Sequence, residues 1–260
     1  MKLYRFEGRR GARWGREDGA GRLRLLEGDP FTGVRDGEGE VALAEVRLLP
    51  PVDPSKIVAI GLNYKDHAAE QGKPVPPEPL MFLKPPSSVI GPGATIEVPP
   101  WAGRVDHEAE MGLVIGTTAR DVKDAAAGRA HILGAVCVND VTARDLQNKD
   151  VQYTRAKGFD TFCPVGPCLA TGLDYGNLRV TGRVNGEVRQ DSSTAQLIFD
   201  PGHLVWAVSR VMTLHPGDII STGTPSGIGP LRPGDQVEIE VEGVGILDNP
   251  VGTRSRAEER

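Results

Sequence analysis

The chain has 260 residues, of which 39% are hydrophobic and 25% are charged, proportions that are typical of an ordinary globular protein. Its formal net charge of -5 provides no basic surface for a polyanion, which argues against nucleic acid as a partner. No apolar run approaches the roughly 20 residues of a membrane-spanning helix, and the N-terminus lacks the apolar segment of a secretion signal. We therefore expect a cytoplasmic protein without a membrane partner.

Glycine (33 residues) and proline (21) are abundant, and most apolar runs are short and bounded by turn residues. This pattern favours strands over long helices and predicts an α+β fold that is mainly β. Residues 1–52 carry short apolar pieces such as RLRLL and end near PPVDP, which indicates a small N-terminal β subdomain. We predict a main domain over 55–252 and a polar, frayed tail over 253–260.

The main domain contains six strand candidates: KIVAIG, EMGLVIG, ILGAVCVND, RVTGRVNGEVRQD, DIISTG and QVEIEVEGVGIL. Asn185-Gly186 within VNGEV predicts a tight hairpin turn. Helical periodicity is present in NYKDHAAEQG, in ARDLQNKDVQYTRAK and in HLVWAVSRVMTL, the last preceded by the helix-start signal Asp200-Pro201. Three cysteines lie in apolar or proline-flanked sequence without metal or redox spacing, so we expect reduced, mostly buried thiols at Cys137, Cys163 and Cys168.

His67 and Glu70 are three residues apart in the first predicted helix, so the carboxylate can orient the imidazole and raise its basicity. Such a pair can act as a general base for water. It can equally be a routine charged pair on an exposed helix. The segment that follows, Gly72 and then 74–79, has the composition of a hinge for a mobile lid.

Two carboxylates, Glu108 and Glu110, enter an otherwise apolar strand candidate. Strand alternation places them on one face with β-carbons roughly 7 Å apart, close enough to share an ion. Asp140, at the end of the next apolar strand, is a candidate third ligand, and an all-carboxylate set favours Mg²⁺ or Mn²⁺ over Zn²⁺. Alternatively, the two glutamates face water, and Asp140 only caps or turns the chain.

Two lysines and one loop complete the candidate set. Lys84 and Lys157 are possible donors to an anionic substrate. In STGTPSGIGPLRPGD, Thr222 and Thr224 can bind a carboxylate through hydroxyls and backbone amides. The stretch HEAEM is not a zincin motif, because Met111 stands where the second histidine is required.

Taken together, these segments resemble the fumarylacetoacetate hydrolase family over nearly all of residues 55–250. The match is closest to short bacterial members that handle acylpyruvates and hydroxydienoates. The matching segments are GLNYKDHAAE, FLKP, HEAEMGLVIG, NDVTARDLQ, RAKGFDTFCPVGP, VNGEVRQD, STGTPSGIGPL and PGDQVEIEVEGVGIL.

The resemblance implies a mixed β-sandwich or β-roll catalytic domain that forms a homodimer. It implies a divalent metal site, a catalytic dyad on a lid, and substrate contacts elsewhere in the pocket. The metal ligands match Glu108, Glu110 and Asp140; the dyad matches His67 and Glu70; Lys157 is catalytic; and substrate contacts match Gln147, Thr224, Arg144 and Lys84.

The reaction that the resemblance implies is hydrolysis of a C–C bond in a small acylpyruvate-like β-diketo acid through a Mg²⁺- or Mn²⁺-stabilised enolate, as in the catabolism of aromatic compounds. His67, oriented by Glu70, would deprotonate water, while Lys157 and Gln147 stabilise the developing oxyanion. Three alternatives remain open. The same site can isomerise a 2-hydroxyhepta-2,4-diene-1,7-dioate, decarboxylate an oxaloacetate-like 2-oxo acid, or hold a metal without turnover.

Overall fold

Strands dominate the fold. The computed structural model describes residues 1–9 and 11–255, and the mainly β, α+β class predicted from the sequence is confirmed. The strands are β1 (Lys2–Gly8), β2 (Gly11–Glu17), β3 (Arg22–Asp29), β4 (Gly33–Ala42), β5 (Ile57–Gly61), β6 (Leu80–Lys84), β7 (Val89–Ile90), β8 (Ile96–Val98), β9 (Val105–His107), β10 (Ala109–Ile115), β11 (Ile132–Asn139), β12 (Thr142–Ala143), β13 (Cys163–Ala170), β14 (Arg179–Val184), β15 (Glu187–Ser193), β16 (Ile219–Ser221), β17 (Gly229–Pro230), β18 (Gln236–Val241) and β19 (Gly245–Thr253). The helices are α1 (Lys65–Glu70), α2 (Ala125–Arg129), α3 (Arg144–Lys149), α4 (Thr154–Lys157) and α5 (Pro201–Ser209). Short 3-10 helices span Leu43–Glu45, Pro86–Ser88 and Thr194–Gln196.

The strands form one large and two smaller sheets. The large sheet has the order β4-β3-β2-β1-β13-β11-β10-β16-β5-β6, with β7 paired to β13. A five-stranded sheet, β15-β14-β18-β19-β8, contacts β10, β11 and β13 of the large sheet, and β12-β9-β17 form a third sheet. Parallel and antiparallel pairs coexist in the large sheet, since β5 runs parallel to β16 while β10 runs antiparallel to β11. The result is a mixed β-sandwich.

Strand β10 is buried on both faces, which explains its almost continuous apolar sequence. Met111 and Leu113 belong to the larger hydrophobic cluster, with Ile239 of the five-stranded sheet, while Val114 belongs to a second cluster. Because side chains alternate along a strand, Glu110 shares the face of Val114. The glutamate therefore enters a strand that has no solvent-facing side.

The N-terminal strands extend the large sheet. β1 pairs antiparallel with β13, with Leu3 opposite Leu169, and both side chains are buried in the second cluster. Strands β2, β3 and β4 follow outward as a meander. Residues 1–42 thus add strands to the sheet that carries β10 and β11. At the other end of the chain, Thr253 still lies in β19, and residues 256–260 of the predicted tail lie outside the described residues.

Most local predictions in the main domain are confirmed. Asn185 and Gly186 both have positive φ (54° and 77°), and Val184 pairs with Glu187 across the turn, as a tight hairpin requires. The Asp200 side chain accepts hydrogen bonds from the backbone amides of residues 202 and 203, capping α5. The three cysteines named above are buried and free.

The prediction of one helix over 143–157 is wrong. The segment forms α3 and α4, separated by residues 150–153. Asp150 has an extended backbone, and its carboxylate accepts from the Arg155 guanidinium at 2.5 and 2.8 Å. The extended backbone at Asp150 ends α3, and the Asp150–Arg155 pair links the break to α4.

Candidate active site

Three carboxylates converge at one end of the β10–β11 pair. Glu110 lies in β10, Glu108 lies just before that strand, and Asp140 directly follows β11. Antiparallel pairing sets Ala109 opposite Asn139, so the adjoining strand ends bring the carboxylates together. One oxygen atom from each carboxylate lies within 4.8 Å of those of the other two. The structure therefore assembles the three candidate ligands at one point.

All three carboxylates are buried: Glu108 is 5% exposed, Glu110 2% and Asp140 1%. The alternative in which the glutamate pair faces water on a sheet surface is therefore wrong. Buried carboxylates are costly unless cations or hydrogen-bond donors compensate them.

Two buried lysines supply part of that compensation. The Lys157 ammonium donates to Glu108 Oε2 at 2.8 Å and to Asp140 Oδ2 at 2.5 Å. The Lys84 ammonium donates to Asp140 Oδ1 and to the backbone carbonyl of Lys157, both at 2.6 Å. Burial opposes the charge of Lys157, but the two carboxylates outweigh it and raise the pKa of the ammonium. Lys157 is a charged group at every physiological pH.

Glu108 is held ionised by its partners. Burial acts to raise its pKa, but the Lys157 ammonium and the Arg144 guanidinium outweigh burial and lower the pKa to about 2. Arg144 Nη2 donates to Glu108 Oε1 at 2.6 Å.

Glu110 has the opposite environment. Burial and the neighbouring carboxylates of Asp140 and Glu108 raise its pKa to about 8. Its Oε2 atom accepts from the Ser221 hydroxyl at 2.5 Å and from the Gly223 amide at 3.0 Å. Within residues 1–9 and 11–255, no ammonium or guanidinium pairs with it. Without a positive group paired to it, the ionised form of Glu110 is disfavoured at neutral pH.

This donor set fits a hard divalent cation. The candidate ligand atoms are all carboxylate oxygens. Burial and the neighbouring carboxylates raise the pKa of Glu110, so a divalent cation bound beside it would favour its ionised form. Bound at this point, Mg²⁺ or Mn²⁺ would be held by Glu108, Glu110 and Asp140.

The second predicted element, His67 with Glu70, lies on α1. His67 is 5% exposed, and its Nδ1 atom lies 2.8 Å from Glu70 Oε2. The other Glu70 oxygen accepts from the Gly227 backbone amide at 3.0 Å, which fixes the carboxylate. Because a carboxylate accepts at Nδ1, the network assigns the proton to Nδ1 and leaves Nε2 as the basic atom. The Gln71 amide nitrogen lies 2.7 Å from Nε2.

One cavity of about 240 Å³ joins the dyad to the carboxylates. Eight of the ten residues predicted for the site line it, and Glu70 and Lys84 do not. Glu70 lies behind His67, and Lys84 lies behind Asp140. The eight are His67, Glu108, Glu110, Asp140, Arg144, Gln147, Lys157 and Thr224.

Arg144 and Gln147 form one unit at the cavity wall. Arg144 donates to Asp106, to Glu108 and to Gln147 Oε1, the last at 2.5 Å. Because the Gln147 oxygen accepts from the guanidinium, its amide nitrogen is left as the donor. The Gln147 amide can therefore donate into the cavity, while Arg144 is already occupied by protein acceptors. Contact of either residue with a substrate stays a prediction.

The threonine hydroxyls of the 221–227 loop are directed to backbone. Thr222 Oγ1 donates to the Met111 carbonyl at 2.8 Å, and Thr224 Oγ1 donates to the Ala109 carbonyl at 2.9 Å. Their protons are therefore used within the protein, and the Thr222 backbone amide also donates to the Met111 carbonyl, at 3.0 Å. Thr224 still lines the cavity, and its contact with a carboxylate stays a prediction.

Helix α1 of the predicted lid is anchored to the five-stranded sheet, whereas residues 71–75 after it are exposed. Gly72, which follows α1, has a positive φ of 61°, as expected for a chain reversal after a helix. Asp66 Oδ2 accepts from the Ser192 hydroxyl at 2.6 Å, anchoring α1 to β15. Mobility of the lid stays a prediction.

Sequence reasoning missed several cavity residues: Gln71, Lys73, Phe82, Asn148 and Tyr153. Two carried a usable signal. Gln71 lies one turn after His67, and Phe82 shares a strand face with Lys84. Tyr153 lies in the break between α3 and α4, which the periodicity did not show.

Comparison with known proteins agrees with this geometry. A family profile described as fumarylacetoacetate (FAA) hydrolase C-terminal matches residues 56–252, and one described as Rv2993c-like, N-terminal, matches residues 1–51. An uncharacterised protein of Archaeoglobus fulgidus is 54% identical over 81% of this chain and 84% of its own length. The mitochondrial oxaloacetate tautomerase FAHD2A of Bos taurus is 44% identical over 80% of this chain and 70% of its own length.

Two solved structures are similar over 98% of this chain and all of their own. The 2-hydroxyhepta-2,4-diene-1,7-dioate isomerase of Mycobacterium marinum has a TM-score of 0.90 at 41% identity. The maleylpyruvate hydrolase of Sphingobium, in complex with manganese(II) and pyruvate, has a TM-score of 0.81 at 31% identity. Among the described residues, no helix is long and apolar enough to cross a membrane. By its profile match, its relatives and its fold, this chain belongs to the fumarylacetoacetate hydrolase family.

Proposed function

We propose that the protein is a divalent-metal-dependent hydrolase that cleaves a C–C bond in an acylpyruvate-like β-diketo acid. The observation that carries this proposal is the shared cavity. Buried Glu108, Glu110 and Asp140 face the same space as His67, whose basic Nε2 atom is set by Glu70. A structural ion would need neither an oriented base nor an open cavity, which argues against a metal-binding protein without turnover.

Each residue of the cavity has a separate role in the proposed reaction. When bound, Mg²⁺ or Mn²⁺ supplies positive charge that stabilises negative charge developing on the 2-oxo acid end of the substrate. His67 takes a proton from a water that replaces the Gln71 amide at Nε2, and Glu70 stabilises the resulting imidazolium. Lys157 and the Gln147 amide face the cavity as donors to the oxygen that becomes negative. The overall reaction consumes one water and releases a carboxylic acid and pyruvate.

A relative supports the substrate class. The Sphingobium maleylpyruvate hydrolase was solved with manganese(II) and pyruvate, the 2-oxo acid that hydrolysis of an acylpyruvate would release. We propose that the 2-oxo acid end of the substrate lies at the carboxylates of this chain and that its acyl end points toward α1.

A second candidate is proton transfer without water. The bovine relative is an oxaloacetate tautomerase, and the Mycobacterium marinum structure is a hydroxydienedioate isomerase. With His67 as the base, the same site would move a proton on a 2-oxo acid and leave its carbon skeleton intact.

A substrate panel separates these reactions. We would incubate an acylpyruvate, a hydroxydienedioate and oxaloacetate with Mn²⁺, using wild type and Glu108→Ala in parallel, and identify products by NMR. Acid plus pyruvate from the acylpyruvate, formed by wild type alone, is the expected result. If a tautomer or isomer is the sole product, the reaction is proton transfer and not hydrolysis. Release of carbon dioxide would indicate decarboxylation. If wild type consumes none of the three, the proposed substrate class is wrong.

We further propose that the enzyme is a cytoplasmic homodimer acting on small molecules from aromatic catabolism, without a nucleic acid or membrane partner. Light scattering coupled to size-exclusion chromatography tests the dimer, and a monomer at micromolar concentration would contradict it.

A further inference from the structure

The segment VNGEVRQD contains a glutamine, Gln190, to which the proposed reaction assigns no role. Gln190 lies in β15 of the five-stranded sheet and is 1% exposed. A buried amide must find partners for two donor hydrogens and for its oxygen. The partners of Gln190 belong to two segments of the candidate active site, the start of β10 and the 221–227 loop.

The amide oxygen faces the carboxylate strand. Oε1 accepts from the Ala109 backbone amide at 2.9 Å and from His107 Nδ1 at 3.0 Å. Ala109 stands between Glu108 and Glu110 in the chain. The contact therefore holds the backbone between the two glutamates in place.

The amide nitrogen faces the 221–227 loop, which we call the substrate loop because it carries Thr224. Nε2 donates to Thr224 Oγ1 at 2.7 Å and to the Pro225 carbonyl at 2.8 Å. Because the Ala109 amide can only donate and the Pro225 carbonyl can only accept, the orientation of the side-chain amide is determined. The Thr224 hydroxyl in turn donates a hydrogen bond to the Ala109 carbonyl at 2.9 Å. Gln190, Thr224 and Ala109 form a closed hydrogen-bonded ring.

Two glycines make room for this arrangement. A β-carbon at Gly182, which pairs with Gln190 across the hairpin, would lie 3.0 Å from Gln190 Oε1 and 3.2 Å from the Ala109 β-carbon. Gly227 has a φ of +95°, and a β-carbon there would lie 2.0 Å from the Arg189 carbonyl. The loop can therefore pack directly on β15, where the Gly227 amide also reaches Glu70.

We propose that Gln190 is a positioning residue that holds the metal-binding strand with its oxygen and the substrate loop with its nitrogen. Its two halves act on different ligands. The oxygen half sets the spacing of Glu108 and Glu110 and supports metal affinity. The nitrogen half sets Thr224 at the cavity wall and supports affinity for the 2-oxo acid. This inference rests on the proposed function.

Binding measurements, which need no turnover, distinguish the role of the Gln190 oxygen from that of its nitrogen. Mn²⁺ affinity is measured by electron paramagnetic resonance of the full chain, and pyruvate affinity by calorimetry on the Mn²⁺-loaded protein. Gln190→Met removes both the acceptor oxygen and the donor nitrogen. We expect it to lower the affinities for Mn²⁺ and for pyruvate by about tenfold each, the scale of one or two lost hydrogen bonds. Gln190→Glu keeps the acceptor oxygen, but in either protonation state it supplies at most one of the two donors.

We therefore expect Gln190→Glu to restore Mn²⁺ affinity to within about threefold of wild type while pyruvate affinity stays reduced. Gln196→Met, at an exposed position, controls for the substitution and should leave both affinities unchanged. Should Gln190→Met not fold, Gln190→Glu carries the test. Equal effects of Gln190→Glu on both ligands, or wild-type affinities in both variants, would overturn the positioning role. Failure of wild type to bind Mn²⁺ would instead overturn the proposed function, and this inference with it.

Discussion

His67 Nδ1 lies 2.8 Å from Glu70 Oε2, three residues further along the same short helix. The Gly227 amide holds the other Glu70 oxygen, so the carboxylate cannot rotate freely away from the ring. This pairing gives His67 the tautomer of a base, with its lone pair on Nε2 and its side chain in the cavity wall.

Removing either partner of this pair should reduce turnover without disturbing metal binding. We expect His67→Asn to lower kcat by roughly 10²–10⁴, the usual scale for losing a general base. Glu70→Gln should also lower kcat, because an amide can donate to Nδ1 and stabilise the tautomer that lacks a basic Nε2. Steady-state kinetics and Mn²⁺ titration check both, with His203→Asn as control. Loss of Mn²⁺ binding in His67→Asn would contradict the separation of roles.

Among the three candidate ligands, we expect substitution of Glu110, which has no paired lysine or arginine, to lower metal affinity most. Glu110→Gln preserves shape and keeps an oxygen for the Ser221 hydroxyl, but it removes the charge. We expect Mn²⁺ affinity to fall by more than the roughly 100-fold that loss of an outer-shell partner causes. Titration followed by electron paramagnetic resonance measures it. The exposed Glu78→Gln serves as control, and unchanged affinity in Glu110→Gln would remove this residue from the metal site.

Lys157 should matter more for turnover than for metal binding. Its ammonium neutralises part of Glu108 and Asp140, so Lys157→Met leaves a more negative site that should hold Mn²⁺ at least as tightly as wild type. Loss of an oxyanion donor should lower kcat by about 10²–10³. Parallel Mn²⁺ titration and kinetics, with exposed Lys149→Met as control, measure the two effects. Weaker Mn²⁺ binding would mean that Lys157 supports the metal site itself.

Away from the cavity, Asp218 should make stability depend on pH. Burial raises the pKa of this carboxyl, but hydrogen bonds from Lys56, Ser55 and the His215 amide outweigh burial and lower it. Because the folded pKa lies below the ordinary value of 3.8, the stabilisation is present above that value and is lost as pH falls through the folded pKa.

We expect Asp218→Asn to lower the free energy of unfolding by about 2–3 kcal/mol at pH 7, with a smaller difference at acidic pH. Urea denaturation at several pH values measures it. The exposed Asp160→Asn should change stability by less than about 1 kcal/mol. An equal loss for both variants would contradict the prediction that the buried contacts of Asp218 stabilise the fold more than an exposed ion pair does.

How much could be predicted from the sequence depended on the range of the interaction. The 185–186 turn and the Asp200 cap depend on neighbouring residues, and their signals were sufficient. The burial of Glu108 and Glu110 depends on what covers β10, so the sequence left two alternatives open. The break at Asp150 escaped the periodicity because short helices share one pattern with a single longer one.

Contacts between distant segments had no signal in one sequence. Gln190 reaches Ala109 across 81 residues and Thr224 across 34, so nothing near it in the chain reveals its role. The family resemblance matched Lys84 to a substrate contact, yet this residue lies behind Asp140, where strand β6 places it. Side-chain direction at such positions follows from strand pairing.

The measurement that tests the central claim most directly is mass spectrometry of the acid released from an acylpyruvate in ¹⁸O-labelled water, with Mn²⁺ present. Hydrolysis breaks the C–C bond by adding water, so wild type should release a carboxylic acid with one additional ¹⁸O atom, together with pyruvate. His67→Asn should form this product at a rate lower by roughly 10²–10⁴. Intact substrate carbon, with proton exchange but no released acid, would contradict hydrolysis and assign the site to tautomerisation.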